Sequence, residues 1–267
     1  MAANADRLVR STVMIEALSC GQSIGGGSGL LMHLLPFGES DARFAPAVVT
    51  NKHVVEGADQ LRFRLASSAV PVVSTSPGSA VLMHPDPEVD LCLIPVAHEA
   101  LKAGLHKSEF ISSKDIFGLQ QLNDLTAIES IVMIGYPDGI IDQKGLYPIV
   151  RQGITATPVY EDFDSRPDFM IDCACFPGSS GSPVFLFDQV GYVRKNNDVQ
   201  LGSIRFGLLG FLYAGPVMNQ EGKIVSARPP KALSKMVEVP LMLNLGFCVR
   251  AEQLEAFYPL LRTAKAV

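Results

Sequence analysis

Phe176-Pro177-Gly178-Ser179-Ser180-Gly181-Ser182-Pro183 runs straight into the apolar segment Val184 to Phe187. The stretch places a hydroxyl in a glycine-flanked turn at the threshold of a strand, which is how a serine nucleophile is presented to a substrate. Glycine at 178 opens backbone conformations closed to other residues, so the amides of Gly178 and Ser180 can both point into one small hole beside the Ser180 hydroxyl. Two such donors stabilise an oxyanion. A Gly/Ser/Pro cluster is also the ordinary composition of a turn. Chemical meaning therefore depends on a base and an orienting acid elsewhere in the chain.

A serine hydroxyl is a weak nucleophile at neutral pH until a base takes its proton. The histidines stand at positions 33, 53, 84, 98 and 106, all before Ser180. That order excludes the α/β-hydrolases, in which the serine comes first, and Ser182 occupies the place where their nucleophile elbow needs glycine. Of the five, His53 has the most telling setting, because Pro46-Ala47-Val48-Val49-Thr50 is an apolar strand that runs into the short polar turn Asn51-Lys52-His53. Asp90 stands similarly at the start of the apolar run Leu91-Cys92-Leu93-Ile94, where burial and hydrogen bonds can fix a carboxylate behind an imidazole. The order is His53, Asp90, Ser180.

In these three motifs the chain resembles the trypsin-like serine proteases, and more narrowly the bacterial HtrA-like and related trypsin-like peptidase domains. Thr50-Asn51-Lys52-His53-Val54-Val55 is similar to the family's base motif, Asp90-Leu91-Cys92-Leu93-Ile94 to its acid motif, and Pro177-Gly178-Ser179-Ser180-Gly181-Ser182-Pro183 to its nucleophile motif. Gly25 to Leu31, Ile134 to Pro137, Val150 to Ile154 and Leu245 to Val249 resemble further strands of that fold.

Composition agrees with a soluble globular protein: 267 residues, 48% hydrophobic and 18% charged. A net charge of −5 supplies no basic footprint for nucleic acid. No apolar run reaches the roughly 20 residues needed to span a bilayer, and Asp6, Arg7, Arg10 and Glu16 interrupt any leader-like segment. The expectation is a cytoplasmic protein without membrane contact. Cysteines 20, 92, 173, 175 and 248 are odd in number and lie partly in apolar runs, so they read as reduced thiols. No zinc-like spacing occurs, and no metal or cofactor is expected.

Short apolar runs punctuated by Gly, Pro, Asn and Asp, such as Ser11 to Leu18, Ala47 to Thr50, Leu91 to Val96, Ile131 to Tyr136 and Phe206 to Tyr213, predict an all-β barrel or sandwich. Helical signal lies between Glu99 and Asp124. It returns at the C-terminus, where Leu254, Phe257, Tyr258 and Leu261 recur at helical spacing and Pro259 bends or ends the helix. The resemblance implies two six-stranded antiparallel β-barrels with a short C-terminal helix. Residues 1–110 would form the barrel carrying His53 and Asp90, 111–128 the connection, and 129–267 the barrel carrying Ser180.

The resemblance also implies roles. His53 would be the general base, Asp90 its orienting partner, Ser180 the nucleophile, and the amides of Gly178 and Ser180 the oxyanion hole of a serine endopeptidase. Its substrate would be a protein or peptide. Ala174 would floor the specificity pocket with Cys175 beside it, Tyr213-Ala214-Gly215 would pair with substrate backbone, and Gly246 would form the far wall. With nothing acidic there, a small or medium apolar residue is expected before the cut. Ser179 stands where extracellular relatives carry the aspartate of their zymogen switch, so ordering of the site falls to its own loops, to substrate or to a regulatory partner. Candidate loops are Asp188 to Ser203 and Pro216 to Pro240. Three other readings remain open: an idle protease fold that binds extended peptides, a small-ester hydrolase, and a cysteine protease using Cys175.

Overall fold

The computed structural model describes residues 5–34, 45–66, 72–75, 81–96, 110–137, 140–142, 144–223 and 236–263. After a short helix α1 (Ala5–Ser11), the first half contains β1 (Thr12–Ser19), β2 (Gln22–Leu34), β3 (Ala45–Thr50), helix α2 (Lys52–Val55), β4 (Gln60–Leu65), β5 (Val72–Thr75), β6 (Leu82–Met83), β7 (Cys92–Pro95) and β8 (Ile111–Ser112). These strands make one eight-stranded sheet in the order β5-β4-β1-β2-β3-β7-β6, with β8 parallel to β2. The second half contains β9 (Ser130–Gly135), β10 (Ile149–Thr155), β11 (Asp168–Asp172), β12 (Pro183–Asp188), β13 (Gly191–Val193), β14 (Val199–Leu201), β15 (Arg205–Ala214), β16 (Val217–Lys223), β17 (Met236–Met242) and β18 (Leu245–Arg250). Six of them close into a barrel, β10-β11-β18-β15-β12-β9.

The expected pair of closed barrels is therefore met in one half. In the other, no ladder joins β5 to β6 among the described residues, and segments 67–71 and 76–80 beside that edge lie outside them.

Continuous apolar runs rather than alternation mark the central strands because those strands are buried on both faces. Along β2, Leu31 points into the first sheet's own core with Val13, Ile15, Val48 and Phe63. Its neighbours Leu30, Met32 and Leu34 join a core between the halves, together with Val49, Leu91, Phe185, Leu208 and Phe211. The closed barrel is filled by Ile131, Met133, Phe169, Val184, Leu186, Leu209 and Cys248. Alternation thus survives as alternation between two cores, and the shared core holds the two halves face to face.

Two predicted elements shift. Ser11 ends α1 instead of beginning β1, its hydroxyl and that of Thr12 both bonding back to the Leu8 carbonyl. The C-terminal helix divides at the proline: a 3-10 segment, Ala251–Phe257, precedes α-helix Tyr258–Thr263, with Leu254 and Phe257 fully buried in the shared core. Of the expected helical span 99–124, the described part holds a 3-10 turn (Ser113–Asp115) and a one-turn helix (Leu119–Asn123). Of the two loops singled out in the sequence, Asp188 to Ser203 holds the paired strands β13 and β14; from Pro216 to Pro240 the strands β16 and β17 pair, and 224–235 lie outside the described residues. No helix among the described residues is long and apolar enough to cross a membrane.

Candidate active site

His53 sits on α2, a single turn that follows β3, and Asp90 sits just before β7, the strand paired with β3. Pairing of those two strands brings the side chains together. His53 Nδ1 lies 2.5 Å from Asp90 Oδ2, and the His53 amide donates to Asp90 Oδ1 at 3.2 Å. Further bonds tie the two turns: Asn51 Nδ2 to the Asp90 carbonyl at 2.7 Å, Lys52 Nζ to the Asp86 carbonyl at 2.7 Å and the Pro87 carbonyl at 3.4 Å, and the Cys92 thiol to the Asn51 carbonyl at 3.5 Å. Burial pushes the Asp90 carboxyl up. The His53 ring and the His53 and Lys52 amides outweigh it, leaving the pKa below its ordinary value and the group ionised at neutral pH. A cleft of about 860 Å³ opens beside the pair, lined by Lys52, Val55, Met83, His84 and Pro85.

Ser180 lies in the turn between β11 and β12. The Ser179 amide donates to the Phe176 carbonyl at 3.0 Å, and Gly178 has φ +82°. Proline followed by glycine at positive φ is the signature of a type II turn, in which the middle peptide is turned over relative to type I. The amides of Gly178 and Ser180 donate to no acceptor among the described residues, which leaves both free for a ligand. Gly181 (φ +81°) is excluded from substitution twice over, since a Cβ there would also stand 1.9 Å from the Ser28 carbonyl. The Ser180 hydroxyl donates to the Tyr213 carbonyl at 3.4 Å, and no hydrogen bond joins it to His53.

The two turns nevertheless meet. A Cβ on Gly27 would lie 2.8 Å from both the Ser180 carbonyl and a methyl of Val54, the residue after His53. Ser28 donates its amide to the Ser180 carbonyl at 2.7 Å, and Thr50, at the end of β3, donates its hydroxyl to the Ser28 carbonyl at 2.7 Å. Ser28, Thr50 and Asn51 escaped sequence reasoning as site residues. Nothing in their local pattern separates them from other polar residues in or just after strands.

Around the expected specificity pocket the outcome is mixed. Cys175, Gly215 and Gly246 converge: a Cβ at Gly246 would meet the Cys175 sulfur at 2.7 Å and a Leu212 methyl at 2.5 Å, and one at Gly215 would meet Cys175 Cβ at 3.6 Å. Burial pushes the Cys175 thiol up to about 12, which leaves no thiolate for a cysteine nucleophile. Ala214 is exposed beside them. Tyr213 points its phenol elsewhere, donating to the buried carboxylate of Asp168 at 2.9 Å. The Ala174 carbonyl accepts from the Arg151 guanidinium, which also stacks over Phe176 at 4.7 Å. Arg151 is a cation that the sequence did not associate with this pocket.

No curated protein sequence matches the chain. Among solved structures it is similar to the Rv3671c protease in its inactive form, at 16% identity over 98% of this chain and 92% of that one, with a TM-score of 0.49. It is also similar to the serine endoprotease from Yersinia pestis, at 17% identity over 98% of this chain and 68% of that one, with a TM-score of 0.53, a likeness of fold. A family model described as the trypsin-like peptidase domain matches residues 37–193, a span that contains His53, Asp90 and Ser180. With more than half of its length matched, and with one closed six-stranded barrel packed against a second β-sheet, this chain belongs to the trypsin-like peptidase domain family.

Proposed function

We propose that the protein is a serine endopeptidase working through Ser180, His53 and Asp90, with the amides of Gly178 and Ser180 as its oxyanion hole. The observation that carries this reading is the 2.5 Å contact between His53 Nδ1 and ionised Asp90, which fixes the imidazole with Nε2 as its remaining basic nitrogen. For attack the Ser180 hydroxyl leaves the Tyr213 carbonyl, a long bond that costs little to break, and gives its proton to that nitrogen. Attack on a peptide carbonyl forms the C–O bond as His53 takes the hydroxyl proton. The oxyanion is held by the two free amides, and His53 then protonates the leaving amine. Water repeats the sequence on the acyl-enzyme. Asp90 keeps its charge throughout and stabilises the imidazolium.

The residue before the cut is small or medium and apolar. Cys175 and Leu212 close the space beside Gly246, and the guanidinium of Arg151 at the Ala174 carbonyl repels a substrate Lys or Arg. In this reading the first-half sheet is the family's N-terminal barrel, residues 1–110, joined by 111–128 to the barrel of 129–267.

A fluorophosphonate that labels Ser180, together with cleavage of a peptide library lost in Ser180→Ala, tests the proposal. One observation favours a second reading, an idle fold that binds extended peptide: the serine hydroxyl engages Tyr213 and not His53. Peptide binding by a wild-type protein that neither labels nor cleaves decides for that reading.

A further inference from the structure

Ser28 makes four hydrogen bonds, and two of them hold carbonyls of the nucleophile turn. It is fully buried on β2. Its amide donates to the Ser180 carbonyl at 2.7 Å, and its own carbonyl accepts from the Thr50 hydroxyl at 2.7 Å. Its side chain accepts from the Tyr136 amide at 2.9 Å, just past the end of β9 in the other half, and donates to the Gly178 carbonyl at 3.2 Å. The direction of these last two is fixed: an amide can only donate and a carbonyl can only accept, so the single hydroxyl proton goes to Gly178.

The Gly178–Ser179 peptide is consequently pinned at both ends, its oxygen by Ser28 and its N–H by the Phe176 carbonyl. With that plane fixed at the positive φ of Gly178, the amides of Gly178 and Ser180 are left unpaired on either side. The type I form of such a turn would reverse the Pro177–Gly178 peptide, take Gly178 off its positive φ and turn its N–H to the opposite side. The Ser28 hydroxyl holds the adjoining Gly178–Ser179 peptide, the frame against which the Gly178 and Ser180 amides are set. The space it occupies is kept open by Gly135, where a Cβ would stand 2.8 Å from the Ser28 hydroxyl.

We propose that Ser28 is the positioning residue of the oxyanion site: its hydroxyl, itself anchored on the second half through Tyr136, holds the nucleophile turn in the form that presents both amides. The proposal rests on the serine endopeptidase reading for its catalytic consequence, while the conformational part stands apart from it.

Two variants separate hydrogen bonding from packing. Ser28→Ala removes the hydroxyl, and Ser28→Cys fills the same space with a weak donor. Both are expected to keep a cooperative melt and a KM within about threefold of wild type, and to lower kcat on the order of 10- to 100-fold, less than deletion of an oxyanion donor. Inhibition by a peptide aldehyde, whose hemiacetal oxygen uses the same amides, should weaken in parallel with kcat/KM, while binding of a non-cleavable peptide stays unchanged. In the Ser180→Ala background, which needs no activity, the Gly178 amide should give one sharp NMR resonance with Ser28 and a broadened or doubled one with Ser28→Ala. An unchanged kcat, or a loss of kcat with undiminished aldehyde affinity and one sharp Gly178 resonance, overturns the proposal. Absence of turnover and labelling in the wild type, with the resonance change intact, defeats the peptidase reading and leaves the role of Ser28 in the turn standing.

Discussion

The Ser180 hydroxyl is bonded to the Tyr213 carbonyl at 3.4 Å, so the proposed nucleophile rests on the strand expected to bind substrate instead of on its base. Because that bond is long and uses a main-chain acceptor, it survives any change of side chain at 213. Replacing Ser180 by Ala removes little that holds the turn, whose carbonyl at 180 is gripped by Ser28. Ser180→Ala should therefore melt within a degree or two of wild type while losing on the order of 10⁴-fold or more in kcat. Equal turnover by the two proteins refutes the assignment of Ser180.

His53 and Asp90 act with Ser180 as a unit, so their effects should not add. Asp90→Asn frees His53 to present the wrong tautomer and should cost about 10⁴-fold in kcat. Combining it with Ser180→Ala should lower residual activity by less than about threefold more. The check is a double-mutant cycle in kcat/KM. Additive losses would show that the two residues serve separate functions.

Asp90 also makes an acid-sensitive contribution to stability. Its folded pKa lies below the ordinary 3.8, so the ionised form is favoured by folding. That stability is fully present above the ordinary value and is lost as pH falls through the depressed one. Thermal melts of wild type and Asp90→Asn should differ by a constant amount from pH 5 to 7 and converge below it, where the wild-type carboxyl protonates.

Asp168 has the opposite sign. Burial raises its pKa despite the Tyr213 phenol and Arg166, so its contribution is complete below the ordinary carboxylate value and is lost as pH rises through the raised one. Tyr213→Phe removes a bond that lowers that pKa and should move the loss to higher pH, with a stability cost of about 1–2 kcal/mol for the lost bond, since Asp168 Oδ2 keeps its ion pair with Arg166 Nε at 3.2 Å. The cleavage profile should stay unchanged, because the phenol points at Asp168 and away from the pocket. A changed preference before the cut would place Tyr213 in the pocket after all.

Ala174→Asp alone should not convert the specificity to Lys or Arg, since the Arg151 guanidinium bonded to the Ala174 carbonyl is at hand to neutralise the new carboxylate. Adding Arg151→Gln should release that carboxylate and raise relative cleavage after Lys or Arg by roughly tenfold, ~1.4 kcal/mol. Peptide-library profiles of the two variants decide it, and a shift already present in Ala174→Asp contradicts the role given to Arg151.

The family and the candidate triad were legible in the linear chain because each piece is written in local chemistry. Pro177-Gly178 specifies the turn that exposes two amides, Thr50-Asn51-Lys52-His53 ends an apolar strand in a polar turn, and Asp90 precedes another. Turn chemistry depends on a few adjacent residues, so sequence alone determined it. The tertiary structure decided everything that depends on which strands meet. Ser28 reaches Gly178 across 150 residues of chain, and Arg151 reaches Ala174 across 23. The direction of the Tyr213 side chain was fixed by Asp168 on a different strand. Period-two patterning was silent at the central strands for a related reason. Where Leu30 and Leu31 face two different dry cores, hydrophobicity no longer reports which face is which, and only the packing of one half on the other assigns them.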